Sequence, residues 1–215
     1  MRKRALVLTL PLFMITGCTN SVQVGPTDRA SMITSASSWT LHQGSASPEP
    51  TRSWTPDTTA SGTFLPHRPG STAITYDPAV VPAGARATVG VAQKPRSTEV
   101  RLEVAGLIPR RTYGAHLHTE PCTAVPDQAG PHYQHQKDPK TPSVDPSYAN
   151  PANEVWLDFT VDGYGTATAA ATQPWTFPAG RSARSLILHA QATKTAAGVA
   201  GTAGPRVACL TLPRR

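Results

Sequence analysis

Arg86-Ala-Thr-Val-Gly-Val91, the turn pair Lys94-Pro95 and Glu99-Val-Arg-Leu-Glu-Val104 establish the fold class of this chain. Both hexapeptides alternate along their length and are rich in β-branched residues. A period of two puts successive side chains on opposite faces, as a half-buried strand requires. Proline and lysine between them mark a turn. The same texture extends outward. Ala73-Ile-Thr-Tyr76 lies upstream, set off by Asp77-Pro78 and Pro82-Ala-Gly84. Downstream come Glu154-Val-Trp-Leu-Asp-Phe-Thr-Val161, the turn Gly163-Tyr-Gly165, Thr166 to Ala171, Ser185-Leu-Ile-Leu-His189 and Val207-Ala-Cys-Leu-Thr-Leu212. No stretch carries the 3.6-residue period of an amphipathic helix. Several short strands separated by Gly/Pro turns predict an all-β sandwich or barrel over residues 71–215, a length that supports one core.

The N-terminus has a different character. Arg2-Lys-Arg4 is a basic head, and Ala5 to Ile15 is an apolar run interrupted by Pro11. The run is too short to span a bilayer as a helix and fits the apolar region of an export signal over residues 1–17. Ile15-Thr-Gly-Cys18 resembles the lipobox of bacterial lipoproteins. That resemblance implies cleavage before Cys18, diacylation of its thiol, and a chain tethered to the outer face of the bacterial cytoplasmic membrane. Two acyl chains hold such a tether far better than one. Residues 19–70 are more than half Ser, Thr, Pro and Gly, with few large apolar residues and no period. This predicts a disordered linker over 18–70, reaching about 40 Å as a flexible coil. His42 and His67 fall in it and are read as bystanders.

Charge and cysteine content narrow the function. The net charge is +7, and the first four residues supply three of these charges, leaving +4. Basic runs interleaved with aromatics are absent, which argues against a nucleic-acid partner; a mild positive bias helps draw in a small anion. Three cysteines, an odd number, are awkward in an exported protein. Lipidation of Cys18 would leave Cys122 and Cys209 as a pair, free to oxidise outside the cytoplasm. Without that lipidation the connectivity is open.

The chemistry resides in histidines. His116 and His118 sit two apart in a strand-like context, so both imidazoles address one face. His132 lies in a long Pro-rich stretch between Cys122 and Asn153, together with His135. Loops of that length in a compact domain are usually functional or disordered, and the histidines favour function. His189 follows the apolar run Leu186-Ile-Leu188. Four imidazoles converging on one ion suit tetragonal Cu(II) better than an oxygen-preferring cation.

In order and spacing, Gly114-Ala-His-Leu-His118, Cys122, Ala129-Gly-Pro-His132, Leu188-His189 and Gly204-Pro-Arg-Val-Ala-Cys209 resemble the copper/zinc superoxide dismutase family. The resemblance covers roughly residues 71–213. It implies an eight-stranded antiparallel Greek-key barrel that dismutes superoxide to dioxygen and hydrogen peroxide. It implies His116, His118 and His189 as copper ligands, and His132 as the ligand that bridges to zinc in the family and detaches during turnover. Arg206 matches the arginine that docks the superoxide anion, and Cys122–Cys209 the intrasubunit disulfide.

The departures from the family pattern matter as much. The remaining zinc ligands have no counterparts at family spacing, since His135 lies only three residues after His132. Glu154-Val-Trp-Leu-Asp158 stands where the family has His-Val-Gly-Asp, and residues 190–205 contain no acid. The zinc site is therefore expected to be lost, as in the copper-only branch of the family. Something else must then orient His132. A metal-bound histidine gives its other N–H to a carboxylate, carbonyl or water; Glu154 is the expected partner and Asp158 its competitor. Trp156 is assigned to packing. The alternative to an enzyme is a copper-binding lipoprotein of the same fold, a buffer or carrier without dismutase activity. Retention of Arg206 argues against it, and the altered surroundings of His132 argue for it. A monomer and a homodimer are both compatible with the sequence.

Overall fold

Glu99, Arg101 and Glu103 face outward on a nine-residue strand whose Val100, Leu102 and Val104 are buried. This strand is β4 (Ser97–Ala105), and the computed structural model describes it together with the rest of residues 54–214. The expected export signal, Cys18 and most of the expected linker lie outside the described residues. β4 pairs antiparallel with β3 (Arg86–Lys94) through a tight turn. β3 pairs in turn with β1 (Thr58–Thr63), and β4 with β7 (Thr166–Gln173), giving a four-stranded sheet in the order β1-β3-β4-β7. The second sheet has the order β2-β9-β8-β5-β6. It is built from β2 (Ala73–Thr75), β5 (Thr112–His118), β6 (Phe159–Thr160), β8 (Ser185–His189) and β9 (Arg206–Thr211). Both sheets are antiparallel along their ladders.

The core lies between the sheets. Val89, Val91, Val100, Leu102 and Val104 of the first sheet meet Ala115, Leu117, Leu186, Leu188, Val207 and Leu210 of the second. The architecture is an all-β sandwich; continuous pairing does not close the two sheets into a barrel among the described residues.

Two expectations about boundaries are corrected. β1 lies inside the segment read as linker, so the folded domain begins before residue 71. Its sequence, Thr-Thr-Ala-Ser-Gly-Thr, buries only Ala60 as an apolar side chain. It is held by its ladder to β3 rather than by a hydrophobic stripe, so composition concealed it. Residues 154–161 are not one strand; only Phe159–Thr160 forms a ladder. The segment does run beside β5, with Leu157 N–H donating to the Ala115 carbonyl at 2.8 Å. However, the Ala115 N–H donates to the Asp158 carboxylate at 3.2 Å. A side chain thus occupies a place that a strand would give to a backbone carbonyl.

Candidate metal centre

β8 is buried along its whole length, Ser-Leu-Ile-Leu-His, because both faces of the second sheet are covered. Leu186 and Leu188 point into the core, while Ile187 packs with Cys209 and Ala129 on the opposite face. The register sets Gly114 opposite His189, His116 opposite Ile187 and His118 opposite Ser185. Strand alternation therefore puts His116, His118 and His189 on that outer face. Loop segments from residues 119–158 and 190–205 cover it. His132 joins from the first of these, pairing beside His118, while Tyr133 N–H donates to the Leu117 carbonyl at 2.8 Å. Gly114 is needed for the second loop to seat. A Cβ there would lie 2.6 Å from Ala203 Cβ and 2.7 Å from the Gln191 carbonyl oxygen.

One ring nitrogen from each of His116, His118, His132 and His189 lies within 4.8 Å of the others. Among the described residues this is the one cluster of His, Cys, Asp or Glu with that property. The outward-facing nitrogen of each ring is engaged. His118 Nδ1 donates to the Gly130 carbonyl at 2.9 Å and His189 Nδ1 to the Gly204 carbonyl at 3.2 Å. His132 Nδ1 lies 2.7 Å from Glu154 Oε2, and His116 Nε2 lies 2.6 Å from Thr193 Oγ1. The inner nitrogens His116 Nδ1, His118 Nε2 and His189 Nε2 are buried with no hydrogen-bond partner. Orphaned buried polar atoms are costly. Three of them facing one another, with a fourth imidazole beside them, fit a borderline cation that prefers nitrogen.

Electrostatics favour the same state. Burial is the largest cause holding His116 and His118 well below the ordinary imidazole pKa, reinforced by the neighbouring His132. His189 is lowered to about 4, again chiefly by burial, against the raising effect of the Gly204 carbonyl. The three rings are neutral at neutral pH, the form that binds metal.

Glu154 lies behind His132, almost fully buried. Its Oε2 also accepts Trp156 Nε1–H at 2.6 Å, and its Oε1 accepts from Gln134 Nε2 at 2.8 Å. Asp158 does not reach His132. It sits on the far side of the cluster, accepting Thr193 N–H at 2.7 Å and lying 2.7 Å from Thr193 Oγ1 and 3.7 Å from His116 Nε2. Its displacement follows from Ala115, whose N–H anchors it beside β5. Trp156, assigned to packing from sequence, is a polar partner of Glu154 as well as a neighbour of the His116 ring. Gln134 and Thr193 carried no sequence signal, being ordinary polar residues in loops. His135 is not brought to the cluster; it stacks on Trp175 with ring planes 4° apart.

Arg206 closes the other side. It is half-buried and donates from Nη1 to the Pro126 carbonyl at 2.9 Å and from Nη2 to the Gly130 carbonyl at 2.7 Å. Asp127 Oδ1 lies 3.8 Å from its Nε. Burial lowers the pKa of the guanidinium, yet an arginine so placed stays charged. The loop bearing those carbonyls is fastened to β9 by the disulfide Cys122–Cys209.

The family model for copper/zinc superoxide dismutase matches residues 85–211. The chain belongs to that family. The match takes in all four clustered histidines, Arg206 and both cysteines of the disulfide. No curated protein sequence matches the chain. Among solved structures, copper/zinc superoxide dismutase from Brucella abortus is similar at 20% identity and a TM-score of 0.48, covering 73% of this chain and 98% of its own. A double mutant of a SOD-like protein from Bacillus subtilis, in which a tyrosine and a proline are each replaced by histidine, is similar at 18% identity and a TM-score of 0.46, covering 58% of this chain and 87% of its own. The single proline-to-histidine mutant of the Bacillus subtilis protein gives 17% identity and a TM-score of 0.46, with coverages of 59% and 88%.

Proposed function

We propose that this superoxide dismutase family member is a copper-dependent enzyme that works without zinc, lipid-anchored outside the cytoplasm. The observation that carries the reading is the convergence of four imidazoles, three of them with a buried inner nitrogen that has no protein partner, beside a half-buried guanidinium. His116, His118 and His189 would hold copper from the sheet, and His132 from the loop. Bound copper, alternating between its two oxidation states, supplies the one-electron chemistry that converts two superoxide anions and two protons into dioxygen and hydrogen peroxide. Arg206 offers a fixed positive charge for an incoming anion, and its two carbonyl contacts keep the fork in place. Glu154 accepts the His132 Nδ1 proton and so leaves Nε2 bare for the ion. A buried carboxylate with three donors thereby takes the orienting role a second metal would have.

The test loads the full chain, disulfide intact, with copper alone and measures superoxide dismutation, with His189→Ala beside it. Rapid turnover without zinc, lost in the variant, is the expected result. Stoichiometric copper binding with negligible turnover would overturn the enzyme reading and leave a copper buffer or carrier. The anchoring rests on Ile15-Thr-Gly-Cys18. Cys18→Ala should move the protein from the membrane fraction to the soluble one.

A further inference from the structure

Three of the four clustered rings have their tautomers set by groups that only accept. Gly130 and Gly204 present carbonyls to His118 and His189, and Glu154 presents a carboxylate to His132. His116 differs. Its outward nitrogen faces a hydroxyl, which can donate or accept. If Thr193 donated to Nε2, the ring proton would sit on Nδ1 and the inner nitrogen would be closed to a metal.

A count of protons decides between the two. Thr193 Oγ1 has one hydrogen, and Asp158 Oδ1 lies 2.7 Å from it. The carboxylate only accepts, so the hydroxyl proton goes to Asp158. The Thr193 oxygen then has only lone pairs for His116, and Nε2 must carry the proton. Asp158 is itself held from two sides, by the Thr193 N–H at 2.7 Å and by the Ala115 N–H at 3.2 Å. Ala115 immediately precedes His116, so one carboxylate ties the ligand strand to the loop that supplies the hydroxyl. That loop is seated on β5 by the Gly114 N–H, which donates to the Gln191 carbonyl at 2.7 Å.

We infer that Thr193, backed by Asp158, is a positioning residue that keeps His116 protonated on Nε2 and its Nδ1 bare for copper; this rests on the copper reading above. It gives the acid-free loop 190–205 a function. The loop contributes a hydroxyl, and the acid comes from Asp158 on the neighbouring segment.

The experiment uses the copper-free full chain labelled with 15N-histidine. Two-bond 1H–15N correlation spectra report the tautomer of each ring. Thr193→Val keeps the branched shape and the backbone bond to Asp158 but deletes the hydroxyl; Thr193→Ser restores it. Wild type should show His116 with Nε2 protonated. The valine variant should lose that preference and the serine variant regain it, while His118 keeps its own tautomer throughout as an internal check on folding. Cu(II) affinity should fall about 10- to 100-fold in the valine variant and recover in the serine one. Asp158→Ala is a second route if the valine variant fails to fold. Removing the carboxylate that accepts the Thr193 hydroxyl frees that proton to turn toward His116 and should weaken the Nε2 preference. An unchanged His116 tautomer in the valine or Asp158→Ala variant would overturn the inference, as would Nδ1 protonation in wild type. If copper fails to bind the cluster at all, the copper reading falls, while the metal-free spectra still decide what Thr193 does to the ring.

Discussion

Arg206 and His118 are joined through one atom. The Gly130 carbonyl accepts from Arg206 Nη2 at 2.7 Å and from His118 Nδ1 at 2.9 Å. Gly130 has φ 74°, a left-handed conformation that glycine adopts without steric penalty. That turn aims its carbonyl back at the sheet, and a Cβ there would collide with Thr119 Oγ1. The guanidinium proposed to dock the anion and an imidazole proposed to hold the metal are therefore set by the same peptide.

Arg206→Ala removes the charge but leaves His118 its own bond to Gly130. Copper affinity is expected to hold, while kcat/KM for superoxide falls about tenfold or more at low salt, because steering of a small anion depends on the local field. The rate should also lose much of its salt dependence. Arg206→Lys keeps the charge but lacks the planar fork that reaches both Pro126 and Gly130, and should lie between the two. Equal rates for wild type and alanine variant, measured by pulse radiolysis across a salt series, would remove Arg206 from the reaction.

Glu154 receives three N–H donors, from His132, Trp156 and Gln134. Glu154→Leu fills similar volume but leaves the His132 and Trp156 donors without an acceptor in a site that is almost fully buried, while Gln134 Nε2 keeps its bond to Ser143 Oγ. Each unmet buried donor costs about 1–3 kcal/mol, so the copper-free variant should unfold at distinctly lower urea. Glu154→Gln retains the volume and one acceptor oxygen, and should cost less stability. Both should weaken copper binding by about 10- to 100-fold, since partners behind metal ligands are worth that much. Isothermal titration with Cu(II) and urea melts separate the two effects.

What the residues revealed in advance depended on how local the signal was. Val100, Leu102 and Val104 alternate with charged residues, so β4 was legible from its own short run of letters. Thr58–Thr63 has no apolar stripe and gains its place only through a ladder with β3, which lies well downstream in the chain. His116, His118, His132 and His189 were legible as a set because their neighbours match a family. Glu154 was legible only because the sequence lacked a zinc ligand at that point. Thr193 could not be read, because its meaning arises from the meeting of loop 190–205, Asp158 and His116 in space.

The disulfide Cys122–Cys209 closes a loop of 86 intervening residues. Cys209 is fully buried with Ile187 and Ala129 beneath the loop that carries Gly130. Replacing both cysteines by alanine should cost about 4 kcal/mol through the larger entropy of the unfolded chain, read as a lower denaturant midpoint. Arg206 donates to carbonyls on the loop between the disulfide and His132. Releasing that loop should therefore reduce activity more than it reduces copper affinity. The contrast to look for is a double-alanine variant that binds copper at near wild-type strength but turns over slowly.

The buried rings also set how the metal-free fold responds to acid. Burial is the largest cause of the lowered pKa values of His116, His118 and His189, the last reaching about 4 from an ordinary 6.5. In the unfolded chain these rings take up protons near pH 6.5, whereas the folded chain refuses them until lower pH. The unfolded state thus binds more protons in this window, and stability rises with pH. The full contribution is present above about pH 6.5 and is lost as pH falls toward 4, with a slope of up to about 1.4 kcal/mol per pH unit for each ring. Urea midpoints of the copper-free protein should therefore drop steadily from pH 7 to 4.5. His189→Gln deletes one of the three titrating groups and should flatten that slope by one proton's share. A midpoint independent of pH in the wild type would mean that the rings protonate as easily in the folded chain as in the unfolded one. Copper added at pH 7 should raise the midpoint, because only the folded chain offers the four nitrogens together. That gain should shrink on acidification, as protons compete with copper for the ring nitrogens.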